Sequence, residues 1–506
     1  MIALTVAQIA EIVGGRLADI APEQAARTTV TGTVEFDSRR ITPGSLFLAL
    51  PGARADGHYH AASAVAAGAV AVLAARPVGV PAIVVAPEAS AASASGVLEH
   101  DDAAGSGAAV LGALADLAAA VSATLVAKGL TIIGVTGSSG KTSTKDMLAA
   151  VLAPLGEVVA PPGSFNNELG HPWTVLRADE NTDYLVLELS ARHRGNIAAL
   201  AAIAPPQVAV VLNVGTAHLG EFGSREAIAE TKAELAQAVP ESGVVILNVD
   251  DPAVAAMADK TDARVVRVSR AARADIGPTD VWAGPVMLDE LARPRFTLHA
   301  GATEAEIQLG VSGDHQVGNA LCAAAVALEC GATGEQVATA LAGAGPISRH
   351  RMQVSTRSDG VTVIDDAYNA NPDSMRAALQ ALAWIARGQG PGVTRRRSWA
   401  VLGEMAELGA DAISEHDRIG RLAVRLDISR LIVVGVGRSM GAMHHGAVME
   451  GSWGAESTPV ADVDAALTLL HAELEPGDVV LVKASNSAGL TALAEALASD
   501  DRGDRR

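Results

Sequence analysis

The sequence predicts an α/β chain of three segments, and three observations lead to that fold class. Short apolar runs recur between helical stretches along most of the 506 residues, the pattern of parallel strands covered on both faces by helices. Apolar residues make up 49% of the chain but aromatics only 3%, which suits packed helices and buried parallel strands better than an all-β sandwich. The length exceeds what one core organises, so two to four domains are expected.

The first segment, residues 1–87, has apolar runs at Leu46 to Leu50, Val70 to Leu73 and Ile83 to Val85 between turn signals and alanine-rich helices. It reads as a small α/β domain. Residues 88–107, rich in Ala, Ser, Gly and Asp, read as a flexible linker or insertion. Residues 108–345 carry strand candidates at Thr131 to Val135, Tyr184 to Leu189, Val208 to Asn213 and Val244 to Asn248, and predict a parallel-sheet domain. Residues 346–506 repeat the pattern at Val361 to Asp365, Trp399 to Leu402, Leu431 to Gly435 and Val479 to Val482, which predicts a Rossmann-like, doubly wound domain. The arginine-bearing run Gly388 to Arg397 is expected to be a solvated loop, and His444-His445 to lie in a surface loop. The strand-following Gly435-Val436-Gly437 lacks the remaining positions of a dinucleotide fingerprint, so NAD is not expected.

Composition narrows the classes of partner. A formal charge of −19 argues against nucleic acid as a bulk partner, while leaving room for anionic small molecules held by a few cations and helix N-termini. Met1 to Glu11 does not read as a signal peptide. The most apolar window, Ala61 to Ala86, is broken by Arg76, Pro77 and Pro81, so no membrane span is expected. Cys322 and Cys330, eight residues apart on a predicted helix, are about 12 Å apart along it, too far for a disulfide. A cytoplasmic location is the expectation. Only six of the 38 basic residues are lysines, namely Lys128, Lys141, Lys145, Lys232, Lys260 and Lys483, so each is worth accounting for.

After the strand Thr131 to Val135 comes Thr136-Gly137-Ser138-Ser139-Gly140-Lys141-Thr142 and then a helical stretch. Glycines let the backbone N–H groups turn toward phosphate oxygens, and the helix N-terminus adds partial positive charge. Lys141 reaches the terminal phosphates and the Thr142 hydroxyl is placed to ligate Mg²⁺. Val135 stands where the strict pattern has glycine, yet strand, adjacent Gly-Lys-Thr and helix all point to a nucleoside triphosphate, ATP, as the energy source.

Glu188 follows an apolar strand, and a carboxylate at the C-terminal end of a strand faces the nucleotide crevice and suits Mg²⁺. His218 alone reads as a loop histidine. Lys232, between Glu230 and Glu234 on a predicted helix, alone reads as a solvated, paired lysine.

In this order after a TGxxGKT loop, the three residues resemble the Mur ligase family, which includes the folylpolyglutamate synthetases. The resemblance covers nearly the whole chain. It implies that Lys232 carries a CO₂-derived carbamate, shared with Glu188 and His218 at the second of two Mg²⁺ sites. Gly313-Asp314-His315-Gln316-Val317-Gly318-Asn319-Ala320 is similar to an adenine-side motif, implying Asn319 at the base, with Gln316 where the family usually has Asn. His350-Arg351-Met352 implies an arginine brought to the phosphates by the third domain as it closes. Asp365-Asp366-Ala367-Tyr368-Asn369-Ala370-Asn371-Pro372 implies an ATP-contacting loop including Asp366. Val482-Lys483-Ala484-Ser485-Asn486 departs from the usual Lys-Gly-Ser-Arg.

In the first segment, Asp37-Ser38-Arg39, Phe47-Leu48-Ala49-Leu50-Pro51-Gly52 and Asp56-Gly57-His58 resemble the family's UDP-binding domain. The Asp-Asn-Pro-Arg motif of the branch that adds a free diamino acid is missing. The Tyr368 to Pro372 run and Asn166-Asn167-Glu168-Leu169-Gly170 resemble the branch that adds a dipeptide. The resemblance therefore implies a monomer that joins D-alanyl-D-alanine to UDP-N-acetylmuramoyl-tripeptide through an acyl phosphate. Ser38, Arg39, Asn166, Asn167 and Ser190 are its expected substrate contacts. The alternatives are another ligase of the family, acting on an amino acid or on polyglutamate, and a P-loop kinase or ATPase.

Overall fold

The computed structural model describes residues 1–52, 55–87, 102, 105–161, 163–215, 219–273, 278–388, 394–451, 454 and 456–499. Most of the predicted linker, and His218, lie outside the described residues.

The N-terminal sheet has five strands in the order Arg16–Ala18, Ala82–Val84, Ala71–Ala74, Leu46–Leu48, Val34–Glu35, all parallel except the first. Strand side chains alternate between faces. Phe47, Val72, Ala74 and Ala82 therefore pack with Ala61 and Ala64 of a short helix in one small core, while Leu46, Leu48, Leu73 and Ile83 face the other way. That second face meets the helix Ser106–Val126, whose Val110, Leu114, Leu117, Val121 and Leu125 recur at helical spacing and share a core with Ile132, Leu185 and Leu187 of the next sheet. The helix begins two residues before the expected end of the linker. Among the described residues it is the one helix long and apolar enough to cross a membrane, and half of its most apolar stretch is buried in this core.

The central sheet contains ten strands. Val158–Val159, Tyr184–Glu188, Thr131–Thr136, Val208–Val211, Val244–Asn248, Arg264–Ser269 and Val281–Ala283 are parallel and adjacent in that order. Helices cover both faces, as the apolar runs predict. Ile133, Val135, Val186, Val210 and Ile246 pack on Lys141–Leu152 and Gln316–Glu329, while alternate residues face Ser106–Val126, Asn196–Ile203 and Arg225–Gln237. The sheet continues beyond these parallel strands. Met287–Leu288, Pro294–Ala300 and Thr303–Gln308 add an antiparallel wing, because Phe296 and Leu298 alternate with Arg295, Thr297 and His299 and bury only one face.

The third sheet runs Gln353–Thr356, Thr362–Asp365, Val479–Lys483, Ser398–Leu402, Arg430–Val434, Ser457–Val460, parallel after its first strand. Helices Pro372–Arg387, Ala412–Arg425 and Arg438–Glu450 cover one face, and Val463–Glu473 and Thr491–Ser499 the other, so it is doubly wound.

Two surface expectations fail here. His444 and His445 lie on the helix Arg438–Glu450, since Met440, Met443 and Ala447 give it a buried stripe. Arg396 and Arg397, in the run expected to be solvated, clamp the turn before Val479. Arg397 donates to both oxygens of Asp478 at 2.9 and 2.7 Å, and Arg396 donates to Thr362 Oγ1 at 2.7 Å and the Asp478 carbonyl at 3.2 Å. The physical reason is Asp478, buried at 3% exposure, which also accepts from Trp399 Nε1 at 2.9 Å and the Glu475 amide at 3.0 Å. A carboxylate out of water requires such donors.

Asp478→Ala should therefore destabilise the chain by about 2–4 kcal/mol in urea unfolding, because the buried indole N–H and the guanidinium lose their acceptor together. Arg395→Ala, which removes an exposed pair with Asp427, should change stability by less than about 0.5 kcal/mol. Equal, small effects from both would show that Asp478 is not a structural hub.

Candidate functional site

The strand Thr131–Thr136 lies between Tyr184–Glu188 and Val208–Val211, with Val135 paired to Glu188 and Thr136 to Val211. The loops that leave these three strands consequently meet at one end of the sheet. Gly140 ends the phosphate loop at φ +84°, a left-handed conformation that L side chains resist, and the helix Lys141–Leu152 starts there without a side-chain cap. Its first amides are thus free for an anion. Asn213 fixes the loop: its Oδ1 accepts from the Ser139 amide at 2.9 Å, its Nδ2 donates to the Ser139 carbonyl at 3.1 Å, and its carbonyl accepts from the Ser138 amide at 3.1 Å. The Ser138 hydroxyl in turn accepts from the Gly215 amide at 2.9 Å.

Thr142 and Glu188 sit side by side. The Thr142 hydroxyl lies 3.3 Å from Glu188 Oε2, while Glu188 Oε1 is buried with no hydrogen-bond donor. Burial raises the Glu188 pKa, opposed by the cations Lys145, Lys141 and Arg351. Lys141 Nζ donates to the Gly137 carbonyl at 2.7 Å, and burial lowers its pKa. Lys145 pairs with Asp146 at 2.8 Å and donates to the Pro161 carbonyl at 2.7 Å.

Lys232 is 8% exposed and, among the described residues, has no hydrogen-bond or ion-pair partner. The solvated reading of this lysine does not hold. Its flanking carboxylates are committed elsewhere: Glu230 pairs with Arg194, and Glu234 accepts from the Gly195 and Ala198 amides at 2.7 and 3.0 Å. Burial, and then the neighbouring charge of Lys141, depress the Lys232 pKa well below the ordinary lysine value. His218 cannot be compared, since it lies outside the described residues. Among the described residues no three His, Cys, Asp or Glu side chains cluster as a metal site.

The third segment closes the site. Arg351 Nη2 approaches Ser164 Oγ at 3.2 Å and Thr142 Oγ1 at 3.4 Å, and Asn371 Nδ2 reaches the Ser138 carbonyl at 3.5 Å. Ser348, in the connecting segment, donates its amide and hydroxyl to Asp146 at 3.0 and 3.1 Å. At the far rim Gly220 and Gly409 touch so closely that a Cβ on Gly220 would lie 2.8 Å from the Gly409 Cα. Together these segments enclose a cleft of about 730 Å³.

Of the residues expected from the sequence, Ser138, Ser139, Gly140, Lys141, Thr142, Asn166, Asn167, Ser190, Asn319, Arg351 and Asp366 line this cleft. Thr136 and Gly137 precede it, with the Thr136 hydroxyl donating to the Leu189 carbonyl at 2.9 Å. Gln316 accepts from Asn319 Nδ2 at 2.8 Å and so orients that amide beside Gly140. Asp366 is occupied by Lys483 Nζ at 2.6 Å and the Met352 amide at 3.1 Å, so its carboxylate braces the third segment. Ser38 and Arg39 are outside the cleft, on an exposed turn where Arg39 pairs with Asp37. Sequence reasoning missed the roles of Asn213, Asp146, Tyr368 and Lys483. Only Lys483, one of six lysines, carried a local signal.

Known proteins place this arrangement. Residues 32–122 match the Mur ligase family, catalytic domain, residues 135–327 the Mur ligase middle domain, and residues 350–486 the Mur ligase, glutamate ligase domain. The chain belongs to the Mur ligase family. The UDP-N-acetylmuramoyl-tripeptide–D-alanyl-D-alanine ligase of Mycobacterium tuberculosis (strain ATCC 25618 / H37Rv) is 76% identical over 512 residues, covering 99% of each chain. A crystal structure of MurF from Acinetobacter baumannii matches with a TM-score of 0.78 at 29% identity, covering 98% of this chain and 99% of that one. MurF ligase from Thermotoga maritima, in complex with ADP, matches at 0.73 and 26%, covering 94% and 99%.

Gly140→Ala in this Mur ligase should weaken ADP binding at least about tenfold, since a Cβ adds about 1–2 kcal/mol of left-handed strain and would stand 2.6 Å from Asn319 Oδ1. Calorimetric titration measures it, and unchanged affinity would mean the loop does not need this conformation.

Proposed function

We propose that this Mur ligase joins D-alanyl-D-alanine to UDP-N-acetylmuramoyl-tripeptide at the expense of ATP, releasing ADP and phosphate and forming the pentapeptide precursor of peptidoglycan. The observation that carries the reading is the meeting, in one cleft, of a phosphate loop, a buried carboxylate beside Thr142, and Arg351 from the third segment. The choice of substrates follows the relative that is 76% identical over its full length.

A carboxylate is a poor electrophile at neutral pH. Its oxygen therefore attacks the γ-phosphorus of ATP, forming an acyl phosphate and expelling ADP. The dipeptide amine then attacks the acyl carbon, phosphate leaves, and the amine's proton passes to solvent or phosphate. Lys141, the free amides at the start of its helix, and Arg351 hold the phosphates and oppose the charge that builds on them. Asn319, oriented by Gln316, sits beside the loop for the base. The third segment excludes water that would hydrolyse the acyl phosphate. Ser38 and Arg39, on the N-terminal domain, receive the UDP end of a long substrate, while Asn166, Asn167 and Ser190 face its peptide end in the cleft. The reaction belongs in the cytoplasm, where ATP is made and where free Cys322 and Cys330 persist.

The donors fit magnesium. Glu188 Oε1 is buried without a donor and the Thr142 hydroxyl is beside it, an oxygen set that suits a hard cation. Bound there, Mg²⁺ would shield the phosphate charge and draw electron density from the γ-phosphorus. A second ion would be held by oxygens of Glu188 and of a carbamate on Lys232, and by a ring nitrogen of His218. Support for the carbamate comes from Lys232 itself: a buried amine with no counter-ion is destabilised as a cation, and CO₂ turns it into an anionic oxygen donor.

ADP release should require both UDP-tripeptide and D-alanyl-D-alanine. Rapid release with neither present would support a plain ATPase, and release with a free diamino acid or glutamate in place of the dipeptide would assign another branch of the family.

Lys232→Ala and Lys232→Arg should both lose at least about a hundredfold in kcat, on the scale of a lost transition-state contact, because a guanidinium stays protonated and takes up no CO₂. Acetate or formate should partly restore Lys232→Ala. A fully active Lys232→Arg enzyme would end the carbamate proposal.

A further inference from the structure

Arg351 is presented by an unusual piece of backbone. The residues on both sides of it, His350 at φ +59° and Met352 at φ +49°, are left-handed although neither is glycine. Such a conformation is strained for L side chains and persists only where its surroundings over-determine it.

Those surroundings come mainly from one loop, the turn after strand Thr362–Asp365, with Glu495 of the helix Thr491–Ser499 3.6 Å from His350 Nε2. Asp365 Oδ2 lies 2.7 Å from His350 Nδ1, and Asp366 Oδ1 accepts from the Met352 amide at 3.1 Å. The His350 carbonyl accepts from the Tyr368 amide at 3.2 Å. Asp366 is itself fixed by Lys483, whose Nζ also donates to the Asn369 carbonyl at 2.8 Å. Above this base, the Arg351 guanidinium carbon stands 4.2 Å from the centroid of the Tyr368 ring, and its buried Nε has no hydrogen-bond partner. No carboxylate pairs with the guanidinium among the described residues; the flat face of Tyr368 is its only aromatic support and directs its Nη2 toward Thr142 and Ser164.

We propose that Tyr368 and the His350–Asp365 pair are positioning residues that hold Arg351 over the phosphate site. This rests on the reading of Arg351 as a phosphate ligand. A ring is suited to the task because it orients a guanidinium without neutralising it: cation–π attraction leaves the N–H groups and the charge available to an anion, whereas a paired carboxylate would compete with the phosphates. The family-like loop at residues 365–372 then serves the reaction through the arginine, and the departure from Lys-Gly-Ser-Arg at residues 483–486 keeps the two members that brace this loop, Lys483 and Ser485, whose hydroxyl donates to the Ala370 carbonyl at 3.3 Å.

The test is a double-mutant cycle in the full-length enzyme, reading kcat and the KM for ATP. Tyr368→Phe, which keeps the ring, should stay within about twofold of wild type. Tyr368→Leu and His350→Gln should each lower kcat about tenfold while leaving the KM for ATP within about threefold, and neither should lower activity further in an Arg351→Ala background. Thermal unfolding of each variant separates this from a folding defect, and His350→Gln carries the test if Tyr368→Leu does not fold. If Tyr368→Leu and His350→Gln reduce the Arg351→Ala enzyme by the same factor as wild type, the positioning role is overturned and the role of Arg351 stands. A fully active Arg351→Ala enzyme would instead remove the phosphate-ligand reading, and the inference with it.

Discussion

The structure is organised around a local gathering of basic side chains. Lys141, Lys145, Lys232 and Arg351 converge on one end of the central sheet, and the carboxylates near them are Glu188 and Asp146. Asp146 is committed to Lys145 and to Ser348, and Glu188 keeps one oxygen without a donor. Lys141 and Arg351 are left to oppose the charge of a polyphosphate. The chain as a whole carries −19, so this is a local inversion of sign.

That constraint accounts for the placement of the three sheets. A parallel sheet sends its loops out at one end, and the central position of Thr131–Thr136 makes the phosphate loop the neighbour of Glu188 on one side and Asn213 on the other. The third sheet meets this end through residues 348–371, with Ser348, Arg351 and Asn371, and at the rim through Glu407 and Gly409. The N-terminal sheet touches it hardly at all. It is joined to the back of the central sheet by the helix Ser106–Val126, whose apolar surface serves both cores.

How much of this was legible depends on the sequence distance between partners. The phosphate loop is local: strand, glycines, Lys141 and helix fall within a short span, so their order and place in the sheet are legible. Glu188 was readable because the end of an apolar strand marks a position in space as well as in sequence. Asn213 and Ser139 are 74 residues apart, and Lys483 and Asp366 are 117 apart, so nothing near either residue announces the pair. Arg396 and Arg397 were misread because an arginine run defaults to solvent, and the buried Asp478 that recruits them is about 80 residues away. The antiparallel wing did carry a signal, the alternation at Arg295 to His299, but its neighbours in the sheet are hairpin partners outside the parallel rhythm of the rest.

Lys232 shows the limit from the other side. Its immediate context, a helix with a glutamate on either hand, is that of a surface lysine, and propensity and charge pattern agree on that reading. What reverses it is tertiary: Glu230 turns to Arg194, Glu234 caps the helix Asn196–Ile203, and the face that remains is pressed against the phosphate loop. A residue whose local sequence argues for water and whose structure denies it both water and a counter-charge is in conflict across levels, and such conflicts persist where function requires them. The same holds at His350 and Met352, where unfavourable backbone is kept in order to aim Arg351. In this ligase the strained backbone at Met352 lines the cleft, which is where the chemistry of a carboxylate, a triphosphate and an amine has to be brought together.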